Sequence, residues 1–412
     1  MSQVYILRRK AELPKVVSVA LPASKSISNR LLILNALCEK PCQIENLSDS
    51  DDTKVMVEAL KGDLKHIDIG AAGTAMRFLT AYLTLQPGVH EITGSERMRK
   101  RPIGTLVNAL RAQGAQIEYM GEEGFPPLRI TGATLKGGDV VFPGDISSQY
   151  ITAFMLIAPV VPGGFTIKLT GTINSRPYID MTMAILRKYG VDAHWCAEDT
   201  LVVPEGKLVS IPVNVEGDWT AVSYWYALAA LCPETEFRLN PLDVDSTQGD
   251  SRTASFLEAF GLNGDLNNRV ATLARKSAMT EYFKYDFRNQ PDMAQTYVVL
   301  CCLLGIKFRF NGLESLKIKE TDRISALVAE LKKIGYVIQT NDKDEIWYEG
   351  ERCEATYEPI KTYKDHRMAM AFAPAAMVLG HDLLIDEPSV VSKSYPNFWN
   401  DIAPLIDVIP QE

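Results

Sequence analysis

Cationic and hydroxyl side chains precede a long apolar segment near the start of the chain. Lys25, Ser26 and Arg30 lie in PASKSISNR, directly before LLILNAL. Ser24 or Ser26 could cap the first turn of a helix, but positive charge at that end opposes the helix macrodipole. A bound anion would reverse this effect. The stretch alone leaves two interpretations open, a plain capped helix and a phosphate site.

Similar polar residues precede other helix-like segments along the chain. A solvated surface charge would explain any one of them. Their recurrence in a chain of net charge −8 instead indicates a shared anionic ligand. The set comprises Arg97, Arg99 and Arg101 in RMRKRPIG, Ser147, Ser148 and Gln149 in ISSQ, Ser175, Arg176 and Tyr178 in SRPYID, Lys319, Glu320 and Arg323 in IKETDR, Asp365, His366 and Arg367 in YKDHR, and Lys393 in SKSYP.

Two acidic residues in this set of motifs could move protons. Asp292 in QPDMAQ could cap a helix or accept a proton from a substrate hydroxyl. Glu320, beside Lys319, could favour a helix dipole or act as a general acid–base group. The chain has no GxxxxGK[ST] loop and no GxSxG motif, so neither a P-loop kinase nor a serine hydrolase is predicted.

Composition narrows the class of protein. With 412 residues, 46% hydrophobic and 23% charged, the chain has room for two or three globular domains. The first residues lack a secretory apolar region, and no apolar run approaches a membrane span. The acidic balance argues against nucleic-acid binding, and the Cys and His spacing predicts no metal site. We expect a cytoplasmic protein with reduced thiols, bound to neither membrane nor nucleic acid.

Six similar segments recur along the chain, each a polar loop followed by an apolar helix. They start at residues 22, 70, 143, 216, 290 and 362, so their spacings are 48, 73, 73, 74 and 72 residues. An amphipathic outer helix follows each start by about 30 residues, as in ETDRISALVAELKKIG, where Ile324, Leu327 and Leu331 share one face. The counterpart in the fourth unit is QGDSRTASFLEAFGL. Short β-type runs such as FTIKLTG and KFRFNG lie between the helices.

This pattern predicts an α/β protein with two three-unit domains. Residues 22–215 would form the first domain, with a shortened first unit, and residues 1–21 plus 216–412 the second. The chain would cross between them near 20–22 and 215–217. A single six-unit solenoid is the alternative, although solenoids rarely need helices that are apolar on all sides.

The motifs, taken in order, resemble those of the 5-enolpyruvylshikimate-3-phosphate synthase family of enolpyruvyl transferases. The resemblance extends from about residue 4 to 405 and is carried by LPASKSISNR, DSDDT, GTAMRFLTA, RMRKRPI, ISSQY, RPYID, QGD, PDMAQT, IKETDRI and DHRMAMAF. Ala71 and Phe78 depart from the Asn and Pro common in the family. The resemblance implies the inverse β-prism fold, in which each domain has three repeated units around buried parallel helices.

The resemblance also implies an activity and residue roles. The enzyme would transfer the enolpyruvyl group of phosphoenolpyruvate to the 5-hydroxyl of shikimate 3-phosphate, by addition and elimination through a tetrahedral intermediate. This is a step of the shikimate pathway, which leads to chorismate and the aromatic amino acids. Asp292 would accept the hydroxyl proton, Lys319 and Glu320 would move protons at the methylene carbon, and Lys25 would also be catalytic. No cofactor and no metal are implied, and a monomer is expected.

Two overlapping groups of residues would bind the substrates if the resemblance holds. The group for shikimate 3-phosphate is Lys25, Ser26, Arg30, Ser147, Ser148, Gln149, Ser175, Tyr178, Asp292 and Lys319. The group for phosphoenolpyruvate is Lys25, Gly73, Arg101, Gln149, Arg323, Arg367 and Lys393.

Two other functions remain as alternatives. The related transferase acting on UDP-N-acetylglucosamine usually carries a catalytic Cys in the loop before its second outer helix, whereas the loop here, GSERMRKRPIG, has none. A non-catalytic binding protein on the same fold would be expected to lose the charged residues, and they are present.

Overall fold

Two units divide the chain in the computed structural model, which describes residues 3–411. The central unit is Ala23–Val215. The terminal unit consists of two pieces, the chain up to Pro22 and the segment from Glu216 onward. Pro22, expected at the start of the first domain, thus belongs to the terminal unit. The expected outer domain limits, residues 1 and 412, lie outside the described residues.

Twelve α-helices occur within residues 3–411, and all six apolar segments form helices as predicted. In the numbering given in the next sentence, these buried helices are α1, α3, α6, α8, α9 and α11. The helices are α1 Lys25–Leu37, α2 Asp51–Lys61, α3 Gly73–Leu83, α4 Glu96–Arg99, α5 Gly104–Ala112, α6 Ser148–Ile157, α7 Arg176–Lys188, α8 Trp219–Leu231, α9 Ala294–Leu304, α10 Arg323–Lys333, α11 His366–Phe372 and α12 Phe398–Ile402.

The strands are short, and those facing a core alternate buried and exposed residues, as in Phe165–Thr170. They are β1 Val4–Arg9, β2 Val16–Ala20, β3 Ile44–Glu45, β4 His66–Asp68, β5 Val89–Thr93, β6 Gln116–Tyr119, β7 Leu128–Thr131, β8 Gly138–Pro143, β9 Phe165–Thr170, β10 His194–Ala197, β11 Thr200–Val203, β12 Val213–Asn214, β13 Glu236–Asn240, β14 Leu262–Asn267, β15 Val270–Arg275, β16 Tyr282–Asp286, β17 Lys307–Asn311, β18 Gln339–Thr340, β19 Ile346–Tyr348, β20 Leu383–Asp386 and β21 Ile406–Pro410.

Each unit carries three sheets within the described chain. In the central unit the strand orders are β4-β5-β7-β6, β10-β11-β9-β8 and β12-β3. The last sheet has only two strands, at the place where the sequence is short of residues in its first repeat. In the terminal unit the orders are β14-β15-β13-β2, β16-β17-β19-β18 and β20-β1-β21.

Each unit also has its own hydrophobic core. The central core includes Leu34, Met76 and Phe154, which come from three different buried helices. The terminal core includes Trp225, Tyr297 and further residues of α8, α9 and α11. These helices are apolar on nearly all sides because other elements surround them, and their polar residues are left at their ends. No helix within residues 3–411 is long and apolar enough to cross a membrane.

One predicted outer helix is not an α-helix in the structure. The segment QGDSRTASFLEAFGL forms 3₁₀ turns over Gly249–Phe256 and Glu258–Phe260 instead of an α-helix. The hydroxyls of Ser251 and Thr253 each donate to the carbonyl three residues earlier, both at 2.7 Å. Such local bonds offer the backbone an alternative to the α-helical ladder, which explains the tighter winding.

Candidate active site

The residues expected to bind substrates fall into two sets, one in each unit. Most of the central set lies in the first two turns of α1, α3, α6 and α7 or just before them, and Arg101 lies in the loop before α5. The terminal set lies near the starts of α9, α10 and α11 and in the 3₁₀ turn Pro388–Lys393. Helix starts therefore supply both sets, and each is described by itself.

The start of α1 is a capped helix that also presents a cation. Ser24 is the capping residue, and its hydroxyl accepts a hydrogen bond from the Ile27 amide at 3.4 Å. Lys25 is the first residue of α1, and its Nζ lies 3.2 Å from Oδ2 of Asp52. Asp52 is 4% exposed and comes from the start of α2. The sequence motif DSDDT contains Asp52, but its pairing with Lys25 was not predicted.

Arg30 is buried, with 3% of its surface exposed. Its Nε donates to Oγ1 of Thr182 at 2.8 Å, and its Nη1 donates to the Ser26 carbonyl at 2.8 Å. Its Nη2 donates to the Tyr178 carbonyl at 3.2 Å. These three acceptors are uncharged. Burial lowers the pKa of Arg30 to about 10. An anion in contact with this guanidinium would offset the unfavourable burial of its charge.

Phe78, where the family pattern commonly has Pro, lies against Arg30. The guanidinium carbon is 5.6 Å from the centre of the Phe78 ring. A cation over an aromatic face is attracted by the ring quadrupole. Phe78 is therefore part of the environment of Arg30 as well as of the core.

The start of α3 brings two arginines close to a glycine backbone. A Cβ atom at Gly73 would lie 2.8 Å from Nη1 of Arg101 and 3.2 Å from Nη1 of Arg77. A side chain at position 73 would displace these guanidinium groups, so glycine lets both cations approach the backbone here. Arg77 donates to the Gly73 carbonyl at 3.0 Å and to the Pro102 carbonyl at 3.3 Å. Arg77 belongs to the GTAMRFLTA motif, yet it was not predicted as a site residue.

The start of α6 supplies uncharged donors. The hydroxyl of Ser147 caps the helix by accepting from the Gln149 amide at 3.4 Å, and Ser148 is its first residue. The Gln149 amide Nε2 donates to Oγ1 of Thr74 at 3.3 Å, which joins the start of α6 to the start of α3. Ser175 precedes α7 with a left-handed backbone, φ 57°. Its conformation turns the chain into the helix that carries Tyr178.

Arg323 lies at the centre of the terminal set. It is the first residue of α10, is 1% exposed, and contacts three carboxylates. Its Nε and Nη2 bind the two oxygens of Asp365 at 2.7 and 3.3 Å. Its Nη1 lies 3.0 Å from Asp292 and its Nη2 lies 3.1 Å from Glu320. Asp365 belongs to the YKDHR motif, but its contact with Arg323 was not predicted.

Asp292 is surrounded by cations and does not cap α9. It lies in the 3₁₀ turn Pro291–Met293, and the cap position of α9 is Met293. Arg367 Nη2 contacts its Oδ2 at 3.0 Å, and Lys319 Nζ lies 3.4 Å from its Oδ1. Burial acts to raise the pKa of Asp292, but the charges of Arg367, Lys319 and Arg323, in that order, outweigh burial and hold the pKa well below its ordinary value.

Glu320 lies between two cations, just before α10. One carboxylate oxygen contacts Arg323, and the other accepts a hydrogen bond from Nζ of Lys393. Lys393 is 9% exposed and ends the 3₁₀ turn Pro388–Lys393. The terminal set thus brings together Asp292, Lys319, Glu320, Arg323, Arg367 and Lys393, all of which were candidates from the sequence.

Two further buried groups border this set and were missed. Tyr224, within the apolar helix α8, accepts a hydrogen bond on its hydroxyl from Nη1 of Arg367 at 3.4 Å. Asp250 accepts a hydrogen bond from the Thr220 hydroxyl at 2.5 Å. Burial raises the pKa of Asp250 to about 7 although the Thr220 bond lowers it, and the charge of Asp292 adds to the rise. The QGD motif contains Asp250, whereas nothing in an apolar run marks Tyr224.

A bound metal ion finds no obvious ligand set in this part of the chain. Among residues 3–411, no group of three or more His, Cys, Asp and Glu side chains is placed to hold one. The carboxylates of the terminal set are paired with Arg and Lys instead.

A family model described as EPSP synthase (3-phosphoshikimate 1-carboxyvinyltransferase) matches residues 14–67 and 61–402. The chain belongs to the EPSP synthase family. A 3-phosphoshikimate 1-carboxyvinyltransferase of Bacteroides fragilis is 50% identical over 386 residues, covering 93% of this chain and 94% of the relative. The enzyme of the same name from Vibrio cholerae is 36% identical, covering 94% and 96%.

A solved structure agrees with this membership at the level of the fold. EPSP synthase from Acinetobacter baumannii superposes with a TM-score of 0.78 at 21% identity, over 99% of this chain and 100% of that one. The EPSP synthase family assignment confirms the prediction of an enolpyruvyl transferase of the shikimate pathway, and the alternatives are not favoured.

Proposed function

We propose that the protein transfers the enolpyruvyl group of phosphoenolpyruvate to the 5-hydroxyl of shikimate 3-phosphate and releases phosphate. The observation that supports this most directly is the terminal set, where Asp292 and Glu320 form ion pairs with Lys319, Arg323, Arg367 and Lys393. Both substrates carry phosphate and carboxylate groups, which repel each other. Preorganised Arg and Lys side chains can neutralise that repulsion by charge-assisted hydrogen bonds.

The central set supplies the second group of anion-binding residues in this proposal. Lys25, Arg30 and Arg101 would meet phosphate or carboxylate oxygens, and Ser147, Ser148 and Gln149 would donate uncharged hydrogen bonds. Ser26, Ser175 and Tyr178 complete the shikimate 3-phosphate group, and Gly73 leaves room for Arg101. Phosphoenolpyruvate would also meet Arg367, Lys393 and Arg323. The six apolar helices and the three sheets in each unit support the inverse β-prism as the finer description of the fold.

Asp292 is proposed to accept the proton of the 5-hydroxyl. In the structure its ion pairs make it a weak base, because they hold its pKa well below the ordinary value. A substrate anion that takes over Arg367 or Lys319 would weaken those ion pairs. The pKa of Asp292 would then rise, so substrate binding itself would make the carboxylate a better base.

Glu320 is proposed to exchange a proton with the methylene carbon, assisted by Lys319. Addition protonates that carbon and elimination removes a proton from it, so one carboxyl group that changes protonation state can serve both steps. Glu320→Gln retains the shape of the side chain but cannot exchange a proton. We expect turnover to fall by roughly 10²-fold or more. Isothermal titration with shikimate 3-phosphate should change little, and a parallel loss of binding would instead assign Glu320 to structure.

A phosphate-release assay tests the proposed function as a whole, and the variant Lys25→Met tests the role of one residue in it. Phosphate release is measured with phosphoenolpyruvate plus either shikimate 3-phosphate or UDP-N-acetylglucosamine, and release is expected with the first acceptor only. Lys25→Met should lower turnover by roughly 10- to 100-fold, the value of one hydrogen bond to a charged ligand. The exposed Lys54 of α2 gives a matched control, because Lys54→Met also removes one cation. Full activity in Lys25→Met would contradict its role, and release with neither acceptor would contradict the function.

A further inference from the structure

Glu330 is a buried carboxylate in the third turn of α10, outside the set of residues assigned to substrates. It is 1% exposed, and the structure surrounds it with donors. Its Oε2 accepts from Nζ of Lys333 at 2.6 Å and from the Lys361 amide at 2.9 Å. Its Oε1 accepts from the Tyr363 hydroxyl at 2.6 Å. Glu330 therefore ties the segment around residues 361–363 to α10.

The tied segment has an unusual backbone. Tyr363 and Lys364 are consecutive left-handed residues, with φ of 54° and 57°. Neither is a glycine, so both conformations are strained and persist only where the surroundings hold them. Lys333 adds a second attachment to the same loop, because its Nζ also donates to the Pro359 carbonyl at 2.8 Å.

The strained residues lead directly into the terminal set. Asp365 follows them, caps α11 by accepting from the Arg367 amide at 2.9 Å, and binds Arg323 through both oxygens. Arg323 begins α10, and Glu330 lies two turns further along the same helix. One helix thus holds this segment at two points, because Glu330 binds Lys361 and Tyr363 and Arg323 binds Asp365.

We propose that Glu330 is a positioning residue, which fixes residues 361–364 so that Asp365 and Arg367 reach Arg323 and Asp292. Glu330 touches neither substrate in this proposal and acts through the loop. The inference rests on the proposed function, because Arg367 is assigned there to phosphoenolpyruvate. A purely structural role, in which Glu330 only balances Lys333 within α10, predicts a loss of stability and nothing more.

The test compares Glu330→Gln and Tyr363→Phe with two matched controls. Leu327→Ala removes fully buried atoms from the same helix. Tyr357→Phe alters another left-handed tyrosine, with φ 56°, whose ring packs 4.0 Å from that of His381 and is kept by Phe. We expect the KM for phosphoenolpyruvate to rise by roughly tenfold in Glu330→Gln, and by less in Tyr363→Phe. The double variant should lose less than the sum of the two single losses, because both changes act on one contact: Glu330→Gln removes the carboxylate charge and Tyr363→Phe removes the hydroxyl that donates to it.

Leu327→Ala should lower Tm without changing that KM, and Tyr357→Phe should change neither. Amide hydrogen exchange gives a readout that does not depend on activity. Exchange at residues 361–367 should be faster in Glu330→Gln and Tyr363→Phe but not in Leu327→Ala. Unchanged exchange and unchanged KM would overturn the inference, even if Tm falls. A wild-type protein without turnover would contradict the proposed function, while the exchange result would still decide the role of Glu330.

Discussion

Replacing Arg323 with Met will lower the free energy of unfolding by about 3–5 kcal/mol, the cost of leaving a buried charge without its partner. Arg323 is 1% exposed and neutralises Asp365, which is fully buried, as well as Asp292 and Glu320. Met keeps an unbranched apolar stem but lacks the guanidinium, so these carboxylates would repel each other in a poorly solvated place. The loss should therefore exceed that of an ordinary ion pair.

The chain offers a matched control in Arg309→Met. Arg309 also binds a carboxylate through two nitrogens, with Glu345 at 2.6 and 3.0 Å, but both groups are on the surface. An exposed pair contributes about 0–1 kcal/mol. Urea unfolding of both variants at one pH measures the difference. Equal losses would show that burial of the Arg323 cluster does not decide its contribution.

The free energy of unfolding should depend on pH because of the raised pKa of Asp250. Its pKa is about 7 in the folded protein against an ordinary value of 3.8. Between these values the folded state binds a proton that the unfolded state has lost, so stability falls as pH rises. The contribution is complete below about pH 4 and is gone above about pH 7. Its upper limit is about 4 kcal/mol, from 1.36 kcal/mol per pH unit.

Asp250→Asn removes this titration while keeping a neutral group of the same shape. The variant should gain stability relative to the wild type as pH rises from 4 to 7, by up to about 4 kcal/mol. Above pH 7 the difference should stay constant. Denaturant unfolding at several pH values measures it, with the exposed Asp245→Asn as the control. A difference that does not vary with pH would show that Asp250 is ionised throughout.

Secondary-structure elements were easier to predict from the sequence than the contacts between individual side chains. The six apolar helices were recognisable because a helix surrounded by other elements needs no polar face, and because they recur at nearly equal spacing. The prediction of an α-helix over 248–262 was wrong because the spacing of apolar residues there fits an α-helix, whereas the hydroxyls of Ser251 and Thr253 favour tighter turns.

Contacts between distant residues were beyond the sequence. Lys25 was found from its place at a helix start, but its ion pair with Asp52 depends on how α1 and α2 pack. Arg323 and Asp365 are 42 residues apart, and only the fold brings them within 2.7 Å. The substrate roles of the candidate residues remain predictions, because they rest on resemblance and on the charges that the structure gathers.

The sheet order β20-β1-β21 has a consequence for the growing chain on the ribosome. β1 ends at Arg9 and lies between β20 and β21. The earlier of these two strands, β20, begins at Leu383, which is 374 residues after Arg9 (383 − 9). At about 5–20 residues per second, roughly 20–75 s of synthesis pass before its first partner emerges. The continuous segment Ala23–Val215, which has its own core, is complete long before that. During this interval VYILRR has two unpaired edges, and an unpaired apolar strand is a template for aggregation. β1 therefore waits for both of its sheet partners during most of the synthesis of this chain.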